Sequence, residues 1–336
     1  MQERHSSGNT VTRRALIAGA TASMFALAAK SGSAQRCPPT PPARSKGPLV
    51  WLDMDQQDLD EAYDQSVYAF NAKNIDERRA YNNEIARTVL GDPQREAYGP
   101  TEIEKVDIYK TKRAKGPILI FIHGGSWRGG RSSQFTVYAE PFVKAGANFV
   151  VVDFTNVGET NGDLFPMVDQ CRRAVAWVYR NAASFGGNPN ELYLCSRSSG
   201  SHLASCVLVT EWAKQRLPRD ILKGAVLGSG MYDLKPVRLS KRSTFVKFTD
   251  DMEQLLSAQR HVDKVHTPVV LAVGTLETPE FQRQTRDFAT ALTAAGKPVR
   301  LIVAKGYNHY EVGETIGNPY AVLGRAAMEM MKLTTA

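Results

Sequence analysis

Along residues 103–331 the apolar positions come in two alternating patterns: short runs rich in Val, Ile and Phe, and longer stretches with apolar residues three or four apart. The runs at 103–109, 118–122, 149–154, 192–195, 225–227, 269–273 and 299–303 predict strands, and the stretches at 135–145, 167–183, 199–214, 281–295 and 320–331 predict helices. Continuous apolar runs suit strands buried on both faces. The expectation is therefore an α/β architecture, a mostly parallel central sheet with helices on both faces. The alternation is unbroken and shows no internal repeat, so a single domain over 49–336 is the simpler count. Upstream, Leu59, Tyr63, Val67 and Phe70 recur three or four apart, then Ile75 and 85–90 continue the pattern, predicting helices that stop at Gly91-Asp92-Pro93. Residues 49–95 thus form an N-terminal helical segment, either a lid over a site or a packing brace, and amphipathic spacing suits both.

The first 34 residues follow another order: Thr12-Arg13-Arg14, an apolar stretch over 15–29, then small residues at 31–34. That order predicts a twin-arginine signal peptide and an exported, periplasmic or secreted protein. The apolar stretch is shorter than the roughly 20 residues that span a bilayer, which argues against a stable membrane anchor. Residues 35–48, rich in proline and basic side chains without apolar period, read as a linker. The formal net charge of +8 falls to +5 once the leader's four basic residues and one acidic residue are set aside. The remaining Lys and Arg are interspersed with acids, which argues against a nucleic-acid partner. With 43% hydrophobic and 23% charged residues, the composition supports a sizeable globular core. Four cysteines are too few for a disulfide framework, and Cys37, Cys171, Cys195 and Cys206 lack metal-ligand spacing, so neither metal nor cofactor is assigned.

Chemistry enters where the predicted strand 192–195 meets the predicted helix beginning at Ser199. Between them stands Ser196-Arg197-Ser198-Ser199-Gly200, which reads against G-x-S-x-G with Ser198 as a nucleophile on a sharp strand-to-helix turn and Ser196 in place of the first glycine. A Ser-rich turn before a helix also serves as an ordinary N-cap. The earlier His123-Gly124-Gly125-Ser126-Trp127 decides in favour of chemistry. Acyl transfer passes through an oxyanion, and consecutive glycines leave room to aim peptide N–H groups at it. The N–H groups of Gly125 and Ser126, with that of Ser199, form the expected oxyanion hole, while His123 braces the loop. An acid and a histidine then follow in the required order, Glu277 after the run 269–273 and His309 after the run 299–303. Parallel strands deliver both to one rim. Glu280 competes for the acid role, although Thr278-Pro279 reads as a helix start whose dipole an acid at 280 would suit. Asp233 is a more distant candidate. His261 and His266 flank a polar stretch, and His202 falls in the helix behind the nucleophile, where a hydrogen-bonded packing role suffices.

Together these motifs resemble the α/β-hydrolase esterases related to the hormone-sensitive lipase and arylformamidase (kynurenine formamidase) groups. His123 to Trp127 is similar to the arylformamidase oxyanion motif, Glu277-Thr278-Pro279-Glu280-Phe281 to its acid-bearing segment, and Ser198-Ser199-Gly200-Ser201-His202-Leu203-Ala204 to its nucleophile helix. The departures are Ser196 for glycine, Arg197 for the usual histidine and Glu277 for the usual aspartate. The resemblance implies an α/β-hydrolase fold and cofactor-free hydrolysis of a small-molecule ester or activated amide, with the ester preferred because an exported enzyme meets external substrates. Trp127 and Arg197 are the expected substrate-binding residues. The reading from another class is a catalytically dead hydrolase fold used for binding.

Overall fold

The eight strands of the central sheet line up in the order β10-β9-β8-β7-β5-β6-β4-β3. In chain order they are β3 (Gln94–Ala97), β4 (Lys105–Tyr109), β5 (Gly116–Ile122), β6 (Asn148–Val152), β7 (Gly187–Arg197), β8 (Leu222–Gly228), β9 (Val269–Gly274) and β10 (Val299–Ala304), and a separate hairpin of β1 (Leu49–Trp51) and β2 (Met54–Asp55) precedes them. This computed structural model describes residues 44–334; the expected signal peptide and most of the linker lie outside the described residues. Strands β6, β5, β7, β8, β9 and β10 run parallel, whereas β4 pairs antiparallel with both β6 and β3. Every residue of β5 and β6 is buried. Alternate side chains serve two cores: Ile118, Ile120 and Ile122 pack with Met167, Val175 and Leu203 on one side, while Leu119 and Phe121 pack with Tyr138, Phe142 and Leu323 on the other.

Helices α3 (Thr136–Lys144), α4 (Phe165–Asn181), α5 (Ser199–Leu208), α8 (Pro279–Ala294), α9 (His309–Glu314) and α10 (Val322–Met330) follow the sheet's connections. The predicted helix 199–214 ends six residues early, and a 3-10 turn at Trp212–Gln215 takes over. Two regions depart further from expectation. No element was predicted for strand β3, because Gln-Arg-Glu-Ala carries no strand pattern; its conformation is set by pairing with β4 and by Arg95, which bridges buried Asp107 (2.5 Å) and Asp153 (2.6 Å). The stretch between β8 and β9, for which no element was predicted, holds α6 (Leu234–Leu239), α7 (Asp250–Leu255) and several 3-10 turns.

The N-terminal segment contains α1 (Gln56–Glu61) and α2 (Ala72–Leu90), as the spacing predicts, after the unpredicted hairpin. Leu59, Tyr63 and Ile75 are buried, whereas Val67 and Phe70, read as part of the same apolar stripe, are exposed. The 3-10 turn Gln65–Val67 between α1 and α2 breaks the period and turns that stripe outward.

Candidate active site

Ser198 stands where β7 becomes α5, with φ 56° and ψ −134°, a conformation a non-glycine residue adopts only when its surroundings enforce it. They do so here on both sides. The Ser198 N–H donates to the Gly228 carbonyl at 2.8 Å, and its carbonyl accepts from Ser201 N–H at 2.8 Å. A Cβ on Gly200 would lie 2.3 Å from the Ile122 carbonyl oxygen, so only glycine lets α5 come this close to β5. Ser196, the departure at the first motif position, does not crowd the nucleophile. Its hydroxyl donates to Ser201 Oγ at 3.0 Å, and that hydroxyl in turn donates to the Gly228 carbonyl at 2.8 Å.

His309 opens α9, whose start is fixed by a capping box: Asn308 Oδ1 accepts from the N–H groups of Tyr310 and Glu311, and the Glu311 carboxylate accepts from Asn308 N–H. Its Nε2 lies 2.9 Å from Ser198 Oγ and its Nδ1 lies 2.7 Å from Glu277 Oε2. Glu277 is held in turn by Ser229 Oγ–H (2.6 Å) and Gly274 N–H (2.7 Å), both donating to Oε1. With those donors on the carboxylate, Nδ1 carries the imidazole proton and Nε2 accepts from the Ser198 hydroxyl. Burial holds the His309 imidazole below the ordinary histidine pKa; Glu277 opposes this, while Arg197 and Arg242 reinforce it.

Neither rival acid touches His309. Glu280 is buried, takes two hydrogen bonds from Arg283 (2.6 and 2.7 Å) and one from Tyr63 Oη (3.0 Å), so its role extends beyond the helix dipole. Thr278 does sit at the N-cap, but its hydroxyl makes no cap bond. Asp233 caps α6 and pairs with Arg260.

The loop after β5 has positive φ at Gly125 (127°), Ser126 (54°) and Trp127 (61°), so its peptide planes depart from those of the strand before it. Trp127 N–H donates to Ser199 Oγ at 3.3 Å, tying this loop to α5, and the N–H groups of Gly125, Ser126 and Ser199 make no hydrogen bond to another described residue. His123 braces the loop as expected: its Nδ1 lies 2.8 Å from the Gly124 carbonyl, its ring is stacked between Phe135 and Phe154, and burial pushes its pKa down to about 4. Buried His202, likewise pushed down to about 4 by burial, has Nε2 3.0 Å from the Leu256 carbonyl.

A cavity of about 920 Å³ opens over Ser198 and His309, bordered by Gly124 to Ser126, Arg197, Tyr63, Arg242, Phe245 and Tyr310 among others. Trp127, expected to bind substrate, is not part of this lining; it is buried edge-on against His202 beneath the loop, because its left-handed backbone turns the indole into the core. Arg197 does border the cavity. Ser229, Tyr63 and Arg242 were missed by the sequence reading. Ser229 had a signal, since it directly follows the strand beside the one that delivers the acid; Arg242 lies in the stretch where no element was predicted.

The fold is that of the α/β hydrolases. The BD-FAE family model matches residues 106–229. The chain is 29% identical over 294 residues to the kynurenine formamidase of Danio rerio, covering 84% of this chain and 98% of that protein. It is 23% identical over 256 residues to the isoprenylcysteine alpha-carbonyl methylesterase of Arabidopsis thaliana, covering 69% of this chain and 58% of that one. Among solved structures, a putative thioesterase from Silicibacter sp. TM1040 superposes with a TM-score of 0.66 at 21% identity, covering 80% of this chain and 97% of its own, and Thermogutta terrifontis esterase 2 with 0.60 at 22%, covering 72% and 95%. The chain is thus similar to esterases and to kynurenine formamidases of the α/β-hydrolase fold.

Proposed function

We propose that this protein is a serine hydrolase that cleaves a carboxylic ester through an acyl-enzyme, with Ser198 as nucleophile, His309 as general base and then acid, and Glu277 as the group that holds and stabilises the imidazole. The observation that carries this reading is the unbroken relay from Glu277 Oε2 through His309 to Ser198 Oγ, at 2.7 and 2.9 Å. Attack of Ser198 Oγ on the acyl carbon passes its proton to His309 Nε2, and the carbonyl oxygen becomes an oxyanion at the N–H groups of Gly125, Ser126 and Ser199. His309 returns the proton to the leaving group, and water releases the acid by the same route. The export leader favours an ester met outside the cytoplasm. A second reading, hydrolysis of an N-formyl aryl amide, is favoured by the similarity to kynurenine formamidases along most of the chain.

The test is turnover of 4-nitrophenyl acetate and of an N-formyl aryl amide by the mature protein, beside Ser198→Ala and His309→Ala. Each substitution is expected to cost several orders of magnitude, because such residues act as a unit. The faster substrate class decides between ester and amide. A wild type inert on both and unlabelled at Ser198 by a fluorophosphonate would establish the binding-only alternative.

A further inference from the structure

Arg242, on the 3-10 turn Lys241–Thr244, is 5% exposed and borders the same cavity as Ser198 and His309. Its Nη2 donates to the Tyr63 carbonyl at 3.1 Å, and its guanidinium lies over the rings of Tyr63 (5.8 Å) and Trp127 (5.5 Å). Its Nε and Nη1 find no hydrogen-bond partner among the described residues. Burial and the neighbouring Arg128 both weaken its hold on the proton, and the pKa falls to about 10, so the group is still a cation at neutral pH. A guanidinium this deep, without a carboxylate, is costly unless something completes it.

The rest of the cavity does not supply that counter-charge. Its lining holds Arg79, Arg128, Arg197, Lys241 and Arg242 against Asp64 and Asp76. Both carboxylates are engaged, Asp64 with Lys241 at 2.5 Å and Asp76 with Arg79 at 2.9 Å. Arg128, Arg197 and Arg242 have no ion-pair partner among the described residues, and Arg197 Nε is also buried without a hydrogen bond. A purely structural Arg242, clipping Tyr63 to the turn, would use one N–H of five and explain none of the charge imbalance.

We propose that the substrate carries a carboxylate beside its scissile acyl bond and that Arg242 is the specificity-determining residue that receives it, with Arg128 and Arg197 setting the attractive field. The inference rests on the hydrolase reading above and deepens it to a substrate class, anionic esters or amides. A guanidinium fork matches a carboxylate bidentately, and a water-poor wall strengthens the pair.

Two substrate pairs test it. Mono(4-nitrophenyl) adipate against 4-nitrophenyl hexanoate places the charge on the acyl side; 3-carboxyphenyl acetate against 3-carbamoylphenyl acetate places it on the leaving side. In the wild type at least one anionic member is expected to exceed its neutral partner tenfold or more in kcat/KM, and the arm that does so locates the anion. Arg242→Gln is expected to shrink that ratio tenfold or more through KM, and Arg242→Lys to retain part of it, with fluorophosphonate labelling of Ser198 reporting whether each variant keeps its relay. Equal or reversed preference on both arms in the wild type overturns the proposal, whatever the variants do. So does an Arg242→Gln variant that slows both members of a pair alike. If no ester is cleaved and Ser198 is not labelled, the hydrolase reading fails instead. Calorimetric titration with adipate then decides the anion site: binding lost in Arg242→Gln sustains it, and no binding to the wild type overturns it.

Discussion

Replacing Glu277 by Gln isolates the tautomer argument, because the substitution preserves shape while altering which atom can accept. In the wild type Oε1 takes hydrogen bonds from Ser229 Oγ–H and Gly274 N–H, and Oε2 faces His309 Nδ1. Gly274 N–H is a fixed backbone donor, so the amide oxygen of Gln must occupy the Oε1 place and its NH₂ must face the imidazole. Nδ1 then has to accept, which moves the ring proton to Nε2, where it points at Ser198 Oγ and cannot take the serine proton. Loss of the correct tautomer in a Ser-His-acid relay costs on the order of 10⁴ in kcat, about 5 kcal/mol of transition-state stabilisation. The assay is steady-state hydrolysis of 4-nitrophenyl acetate by the wild type and Glu277→Gln, with thermal melts to show that the variant folds. A folded Glu277→Gln within tenfold of the wild-type kcat would refute the assignment of Glu277 and return the acid role to another carboxylate.

Three further outcomes follow from the same geometry. Because burial holds His309 below the ordinary value near 6.5 and only the neutral ring acts as base, kcat/KM should be level at neutral pH and fall as pH drops through an apparent pKa below 6.5; a midpoint above 7 in the pH profile contradicts this. His123 and His202, both near 4 when folded, are neutral in the native state while the unfolded chain protonates near 6.5, so stability is full above 6.5 and declines toward pH 4, by up to roughly 3 kcal/mol for each. Denaturant titrations across that window check the decline and separate it from the activity profile. Gly124→Ala would put a Cβ 2.9 Å from both the Arg197 carbonyl oxygen and Ser198 Cβ, and displacing the nucleophile on this scale should lower kcat/KM by about 10²; a folded variant within threefold of wild type in the same ester assay would show that the elbow tolerates the shift.

The parallel strands were legible because burial on both faces demands continuous apolar runs, and β5, β6 and β9 keep them. Ser198 and Glu277 were legible for a related reason, since each follows such a run; His309 follows β10, an edge strand that is only partly buried, and was found by its order after the acid and by the rim that a parallel sheet gives its strand ends. What the sequence hid was decided by partners far away in the chain. Gln94–Ala97 becomes a strand through Arg95 and the distant acids Asp107 and Asp153. Trp127 looked like a pocket residue from its place in the motif, but side-chain direction depends on φ, and the left-handed run at 125–127 turns the indole under the loop. Arg242 carried no local signal at all. Its meaning comes from Tyr63, 179 residues earlier, and from a cavity wall assembled from several connections.

The choice between lid and brace for the N-terminal segment turns on what an opening motion would have to break. Tyr63 donates to Glu280 and accepts from Gln284, both on α8 and both buried, and its carbonyl takes the Arg242 bond. At about 0.5–1.5 kcal/mol for each neutral bond, with more at charged partners, this group alone resists lifting. Arg78 meets Glu314 with two hydrogen bonds of 2.6 Å, although that pair is exposed and contributes little. Burial of Leu59, Tyr63, Ile75 and Ala86 adds apolar area that opening would return to water. The Asn71 contacts carry the functional consequence: Asn71 Oδ1 accepts from Asn308 and Asn71 Nδ2 donates to Glu311, the two residues of the capping box that starts the helix bearing His309. A segment that swung away would loosen the base it is tied to. The geometry therefore favours a brace, one whose inner face supplies a wall of the cavity while its first long helix steadies the imidazole.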